Sequence, residues 1–236
     1  MGTIINVLCI IAGGMIGLSI GKFFQERFLK IINTAMALSI IAMSLSGIVS
    51  KMLVVLDNTI ETQGIYMIII SLVIGAILGE FINLDSRLEQ FGTWLKEKTN
   101  NSQDSSFINA FVLSSLTVCI GAMAIVGAMM DGINGDYSIL LTKGILDFVI
   151  IMVMSASLGK GCLFSFIPVG ILQGSVTLIA SLIAPIMNVS ALNNLSLVGS
   201  ILILCIGINL LCDGKFRINV ANLLPSVLIA ILLAFI

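Results

Sequence analysis

The chain has 236 residues, of which 58% are hydrophobic and 10% charged, and its mean hydropathy is +1.19. Soluble domains carry about 25% charged residues and could not hide this much apolar surface, so a water-soluble fold is excluded and lipid is the solvent. The net charge of -1 and the absence of histidine leave no argument for a nucleic-acid partner and remove the commonest general base and metal ligand.

Apolar runs of about 20 residues suffice to span the hydrocarbon core of a bilayer. Eight such runs follow one another, at about 3–21, 31–56, 65–83, 107–130, 138–158, 163–187, 195–212 and 219–236, the last being the shortest. The first lacks a basic n-region and a small-x-small cleavage site, so it reads as a span and not as a signal peptide. Nine of the eleven basic residues fall on the first, third, fifth and seventh loops: Lys22, Arg27 and Lys30; Arg87, Lys96 and Lys98; Lys160; Lys215 and Arg217. The positive-inside rule then predicts those loops in the cytoplasm and both termini outside; with seven spans the C-terminus would be cytoplasmic.

The long connection at about 84–106 carries Leu84, Leu88, Phe91 and Leu95 at helical spacing, with Glu89, Lys96 and Glu97 between them. This pattern predicts a short amphipathic helix on the cytoplasmic surface with Trp94 at the interface, followed by a polar linker from Asn100 to Ser106. The whole chain, 1–236, reads as a single integral-membrane domain that carries this amphipathic segment and linker at about 84–106.

Glycines recur near the ends of the odd-numbered runs. Gly13, Gly17 and Gly21 precede Lys22-Phe23, Gly75 and Gly79 precede Glu80-Phe81, Gly159 precedes Lys160, and Gly214 precedes Lys215-Phe216. The recurrence suggests hairpins repeated in parallel. Glycine at every fourth position puts a small face on one side of a helix and lets backbones approach closely. Two readings are open for the first helix: dense packing within the chain, or the contact face of a homodimer.

Ionisable residues concentrate between Thr117 and Phe148. Ser115, Cys119, Met123, Gly127 and Asp131 fall at every fourth position, forming a stripe that leads to Asp131 near the outer surface. Lys143, Asp147, Ser155 and Gly159 share that spacing in the next run, and Asp147 lies about 15 Å along it, near mid-membrane. Lys143 is one turn shallower and can reach Asp147. A charge at such depth is costly, and is functional unless paired. Asp136 belongs to a turn sequence, Asn134-Gly135-Asp136. In the sixth run Pro168, Gly170 and Gly174 predict a break beside Gln173, and broken helices at depth line cavities or are buried in protein. Asn209 in the seventh run, and Asn222 with Pro225 in the eighth, offer further amides.

Enzyme motifs are missing: there is no HExxH, GxSxG, Walker loop or carbonyl filter sequence. The turn at Asp136 departs from the glycine-aspartate element of intramembrane aspartyl proteases, since Ile133 replaces the first glycine. Cys9, Cys119, Cys162, Cys205 and Cys212 lie in or beside apolar runs without a CxxC pair and read as small buried hydrophobes. No catalytic residue, metal site or cofactor is expected.

The run CIGAMAIVGAMMDGINGDYSILLTKGILDF from Cys119, with PVGILQGSVTLIA from Pro168 and IGxxxGKF near the start, resembles a bacterial integral-membrane family. That family is the one typified by the YqgA and YdfK proteins, domain of unknown function 554. The resemblance covers essentially the whole chain. It implies a bacterial inner-membrane protein and carries over no substrate and no catalytic residue.

The sequence therefore predicts an all-α polytopic membrane helical bundle of eight transmembrane helices, seven being the alternative count. The leading function is a small-solute or ion transporter with a polar pathway between the fourth, fifth and sixth helices. Asp147 would be its binding carboxylate, Lys143 the partner, Asp131 the outer group, and Gln173 and Asn209 polar contacts. The alternative is a non-transporting scaffold or assembly protein whose polar residues only hold helices together.

Overall fold

A computed structural model describes residues 1–56, 59–99, 101, 104–184, 187–212 and 216–235. Along the chain run α1 (Gly2–Gly21), α2 (Glu26–Met52), a hairpin of β1 (Leu53–Leu56) and β2 (Thr59–Thr62), α3 (Ile65–Ile82), α4 (Leu84–Lys98), α5 (Phe107–Cys119) and α6 (Ala122–Asn134). Then follow α7 (Ser138–Leu158), a 3-10 segment Lys160–Ser165, α8 (Phe166–Leu178), α9 (Ala180–Ile183), α10 (Val189–Cys212), α11 (Val220–Leu223), α12 (Pro225–Leu232) and a 3-10 turn Leu233–Phe235. Among the described residues six helical stretches are long and apolar enough to cross a membrane; α5 and α6 make a seventh if taken together, and Val220–Phe235 is a shorter apolar helix. The polytopic helical bundle stands. The expected eight is reached only if the bent pair and the short last helix each count as a crossing.

Four runs differ from their expected form. The second begins earlier, at Glu26, and its helix ends at Met52. Leu53 to Leu56 pairs antiparallel with Thr59 to Thr62, Val54 opposite Glu61 and Val55 opposite Ile60. Hydropathy merges strand and helix here, whereas the β-branched Val54, Val55, Thr59 and Ile60 favour the pleated ladder. The fourth run is not continuous: α5 and α6 meet at 60°. In the sixth, the helix passes through Pro168, Gly170 and Gly174, and the irregular points lie instead at Ser165 and Ile179. Pro168 is the third residue of α8, where the backbone N–H has no intrahelical partner to lose. The last run is divided at Leu224, with Pro225 opening α12 as a first-turn proline.

The chain divides into two compact units, Met1–Met36 with Ser86–Ala184, and Ala37–Asp85 with Pro185–Ile236. In the first unit α1 lies along α7. A Cβ at Gly13, Gly17 or Gly21 would overlap the backbone of Phe148, Met152 or Ala156 respectively. Both numbers rise by four together, so the two helices run parallel. The glycine face of α1 is thus filled within the chain, which is the dense-packing reading of that stripe. In the second unit α3 uses glycine in the same way but runs antiparallel to its partner: Gly75 lies against Ser226, and Gly79 against Asn222.

In α4 the buried residues are Gly92 and Leu95, and Phe91 stacks on Trp94 and packs against Phe111 of α5. Of the linker expected at Asn100–Ser106, residues 100, 102 and 103 lie outside the described residues, as do Gly214 and Lys215 of the last glycine motif.

Candidate functional site

The polar face expected on α7 turns inward. Lys143, Asp147, Ile151 and Ser155 are all buried, and Asp147, 3% exposed, sits at the middle of the 21-residue helix. The Lys143 ammonium donates to Asp147 Oδ1 at 2.9 Å and Oδ2 at 2.7 Å, and to the backbone oxygen of Val118 at 2.8 Å. An ammonium has three donors, so Lys143 is fully used.

The Val118 carbonyl is available because its helix stops. The last carbonyls of α5 have no intrahelical partner once the chain leaves the helix at Cys119. Ile120 is extended, and Gly121 follows at φ 143° and ψ 149°, a region nearly closed to residues with a Cβ. A Cβ at Gly121 would meet nothing within 4 Å, so conformation and not crowding selects glycine there. Lys143 places a full positive charge at the negative end of the α5 dipole and satisfies one of its exposed carbonyls. A break that would otherwise be costly at depth is thereby stabilised from α7.

Asn6, missed at the level of sequence, completes the cluster. It is the one asparagine in the first apolar run, has no exposed surface, and donates through Nδ2 to Asp147 Oδ2 at 3.1 Å and to Gln173 Oε1 at 3.3 Å. Asp147 therefore accepts from both Lys143 and Asn6, and α1, α5, α7 and α8 all contribute. Asn6 Oδ1 and Gln173 Nε2 remain buried without a hydrogen-bond partner.

The other expected site residues are placed apart from this cluster. Asp131, in α6, accepts from the Met1 ammonium at 3.0 Å and from Gly2 N at 2.9 Å, and it is separated from Ser115 and Cys119 by the 60° bend, so the stripe through these residues is not one continuous helix face. Asp136 is an exposed turn residue that accepts from Ser138 N at 3.0 Å; hydrogen bonding from Ser138 holds its carboxyl below the usual carboxylate range. Asn209 belongs to the second unit, where its amide donates to Ile218 O at 2.8 Å and accepts from Ile218 N at 2.7 Å. Both ends of that amide are spent on holding one loop.

Polar satisfaction differs between the units. Among the described residues, the buried side-chain oxygens and nitrogens without a partner belong to Thr3, Asn6, Asn33, Ser115, Ser155, Ser165, Gln173 and Thr177. All eight are in the first unit. In the second, Asn222 donates to Glu80 Oε2 at 2.7 Å and accepts from Asp85 N at 2.7 Å, Arg217 pairs with Asp85 at 3.0 Å, and Lys51 donates to Asn193 at 2.9 Å. Among the described residues no three His, Cys, Asp or Glu side chains gather as a chelating set.

A family model described as "Protein of unknown function (DUF554)" matches residues 1–235. The chain is 31% identical over 235 residues to "Uncharacterized membrane protein YdfK" of Bacillus subtilis, covering 100% of this chain and 96% of that protein. It is 29% identical over 234 residues to "Uncharacterized protein YqgA" of Escherichia coli, covering 98% and 94%. No solved structure matches significantly.

Proposed function

This chain belongs to the DUF554 family, a membrane-protein family whose description names no activity, and from its own geometry we propose that it is a transporter of ions or small solutes, without a catalytic step, in a bacterial inner membrane. The polar route lies in the first unit, and the Asn6–Lys143–Asp147–Gln173 cluster beside the Gly121 break is its binding position. The observation that carries this reading is that, among the described residues, the unpartnered buried side-chain polar atoms all lie in that unit. Left unsatisfied, each such group costs about 1–3 kcal/mol, so eight would rival the stability of a whole domain, on the order of 5–15 kcal/mol. Hydration or a polar solute removes that cost, and groups that need it are what a route across a bilayer is lined with. A broken helix whose end carbonyl points at an ion pair is the other common element of membrane binding positions.

The alternative, a scaffold, is favoured by one specific observation: Lys143 and Asp147 neutralise each other and the ammonium has no spare donor. In the transport reading that closed pair is the resting arrangement of the site.

A thermal-shift screen of ions and small polar solutes on the purified chain separates the two. A transporter gives a parent that is stabilised by at least one of them, and an Asp147→Asn variant that folds and has lost the response. If Asp147→Asn is strongly destabilised and no solute shifts the parent, the scaffold is left.

A further inference from the structure

Resting on the reading of the first unit as a transport route, the geometry points to the kind of substrate. Lys143 Nζ is surrounded by three oxygens, Asp147 Oδ1, Asp147 Oδ2 and Val118 O, at 2.9, 2.7 and 2.8 Å. An ammonium held by a carboxylate and a helix-end carbonyl occupies the position that a dehydrated monovalent cation would take. We propose that this is a cation site filled by the protein's own ammonium, and that the protein exchanges an alkali cation for a proton there.

The exchange follows from charge balance. One carboxylate in a buried site tolerates one positive charge; leaving it bare, or adding a second cation beside the ammonium, strands an unpaired charge at depth. A cation can therefore enter only as Lys143 loses a proton. The N–H bond breaks, its electron pair stays on nitrogen, the proton leaves to water, and the cation takes the place of the ammonium beside Asp147. The site is neutral before and after, and one proton departs for each cation bound. Lysine permits this step because its amine can deprotonate in a buried setting, whereas a guanidinium cannot.

A second observation, independent of the ion pair, points to a ligand at the same place. Asn6 has no exposed surface, yet its Oδ1 is unpartnered while its Nδ2 faces Asp147. The terminal torsion of an asparagine amide is broad and nearly two-fold. Half a turn would set Oδ1 towards the carboxylate, which is repulsive with nothing between them and favourable with a cation there. Gln173 Oε1, now accepting from Asn6, would be released at the same time.

The titratable groups near the pair are few. Cys119 closes α5 one residue after Val118, and Cys9 of α1 lies against Gly144 of α7. Asp131 of α6 is engaged by the amino terminus, Cys162 of the 3-10 segment donates to Ala110 O, and Lys160 at the start of that segment is exposed.

The test is calorimetric titration of the full-length purified protein with sodium and with potassium chloride against choline chloride, in two buffers of different ionisation heat and at several pH values. The expected result is one proton released per cation and an affinity rising about tenfold per pH unit. In Lys143→Met the buried Asp147 carboxyl holds the balancing proton instead, so cation binding should still release one proton, but the rise of affinity with pH should move to lower pH. Cation binding by the parent without proton release overturns the exchange and leaves the transport reading standing, as does binding of a neutral solute but of no cation. Binding of nothing at all removes both. If Lys143→Met does not fold, the proton count of the parent alone decides.

Discussion

Lys143 Nζ lies 2.8 Å from the carbonyl oxygen of Val118, 25 residues earlier in the chain and one residue before α5 ends. The same ammonium thus balances a carboxylate on its own helix and caps the end of another. The two roles separate in a mutant cycle. In a dry interior Lys143→Met and Asp147→Leu would each cost about 3–5 kcal/mol by stranding a buried partner, whereas with water admitted to the site, as the transport reading requires, each should cost clearly less. The double variant should recover most of that but remain about 1 kcal/mol below the parent, because the α5 end stays uncapped. Unfolding of the purified variants in detergent measures all three, and complete recovery in the double variant would show that the cap contributes nothing.

The glycines separate crowding from conformation. Gly17→Ala places a methyl group on the Met152 carbonyl and should lower the melting temperature sharply, with Gly17→Leu failing to accumulate as folded protein. Gly121→Ala has open space but the wrong backbone region, and should cost about 1–3 kcal/mol. Gly174 is in mid-helix, and a Cβ there would meet nothing within 4 Å, so it should accept alanine at no cost or with a slight gain. Equal melting temperatures for Gly17→Ala and Gly174→Ala would contradict the packing of α1 on α7.

Asn209 and Asn222 supply the contrast between holding and binding. Asn209→Leu removes both bonds to Ile218 and Asn222→Leu removes those to Glu80 and Asp85, so each should lose about 1–3 kcal/mol. Neither should alter the response to any ion or solute that stabilises the parent. A ligand response abolished by Asn209→Leu in a folded protein would move the site out of the first unit.

The helix directions make a topological prediction. Parallel α1 and α7 require an odd number of crossings between them, which α2, α3 and the bent α5–α6 pair supply as three. With the short last helix counted as a crossing antiparallel to α3, the scheme is expected to place the C-terminus on the side on which α1 begins. Impermeant labelling of single cysteines should find 22–30, 84–106 and 213–218 on the cytoplasmic side and the 53–62 hairpin outside, as the basic residues indicate. Labelling of the hairpin from the cytoplasm would break this scheme.

What the sequence made legible follows from the range of the forces involved. Spans are a matter of length and hydropathy, and the Lys143–Asp147 pair is a matter of one helical turn, so both are visible locally. Asn6 had a signal, an amide in an apolar run, but its meaning depends on Asp147, 141 residues away. The break at Gly121 was hidden because glycine is common in membrane helices, and the residue that stabilises the broken end is on another helix. Pro168 misled for the converse reason: a proline disrupts a helix interior, and only the position of the helix start shows that this one lies in the first turn.

If the first unit carries the route, its interior should meet water during function while that of the second does not. Replacing the five native cysteines by alanine and introducing Ser155→Cys or Ser226→Cys one at a time tests it directly. Both serines are buried, at 1% and 0% exposure, but Ser155 Oγ has no partner whereas Ser226 Oγ donates to Leu223 O. A thiol reacts with a water-soluble thiosulfonate only as thiolate, and so only where water reaches it. In membranes, Ser155→Cys should be modified and Ser226→Cys should not. Protection of both, in protein that is folded, would mean that the first unit is as dry as the second and that the polar cluster around Asp147 only holds helices together.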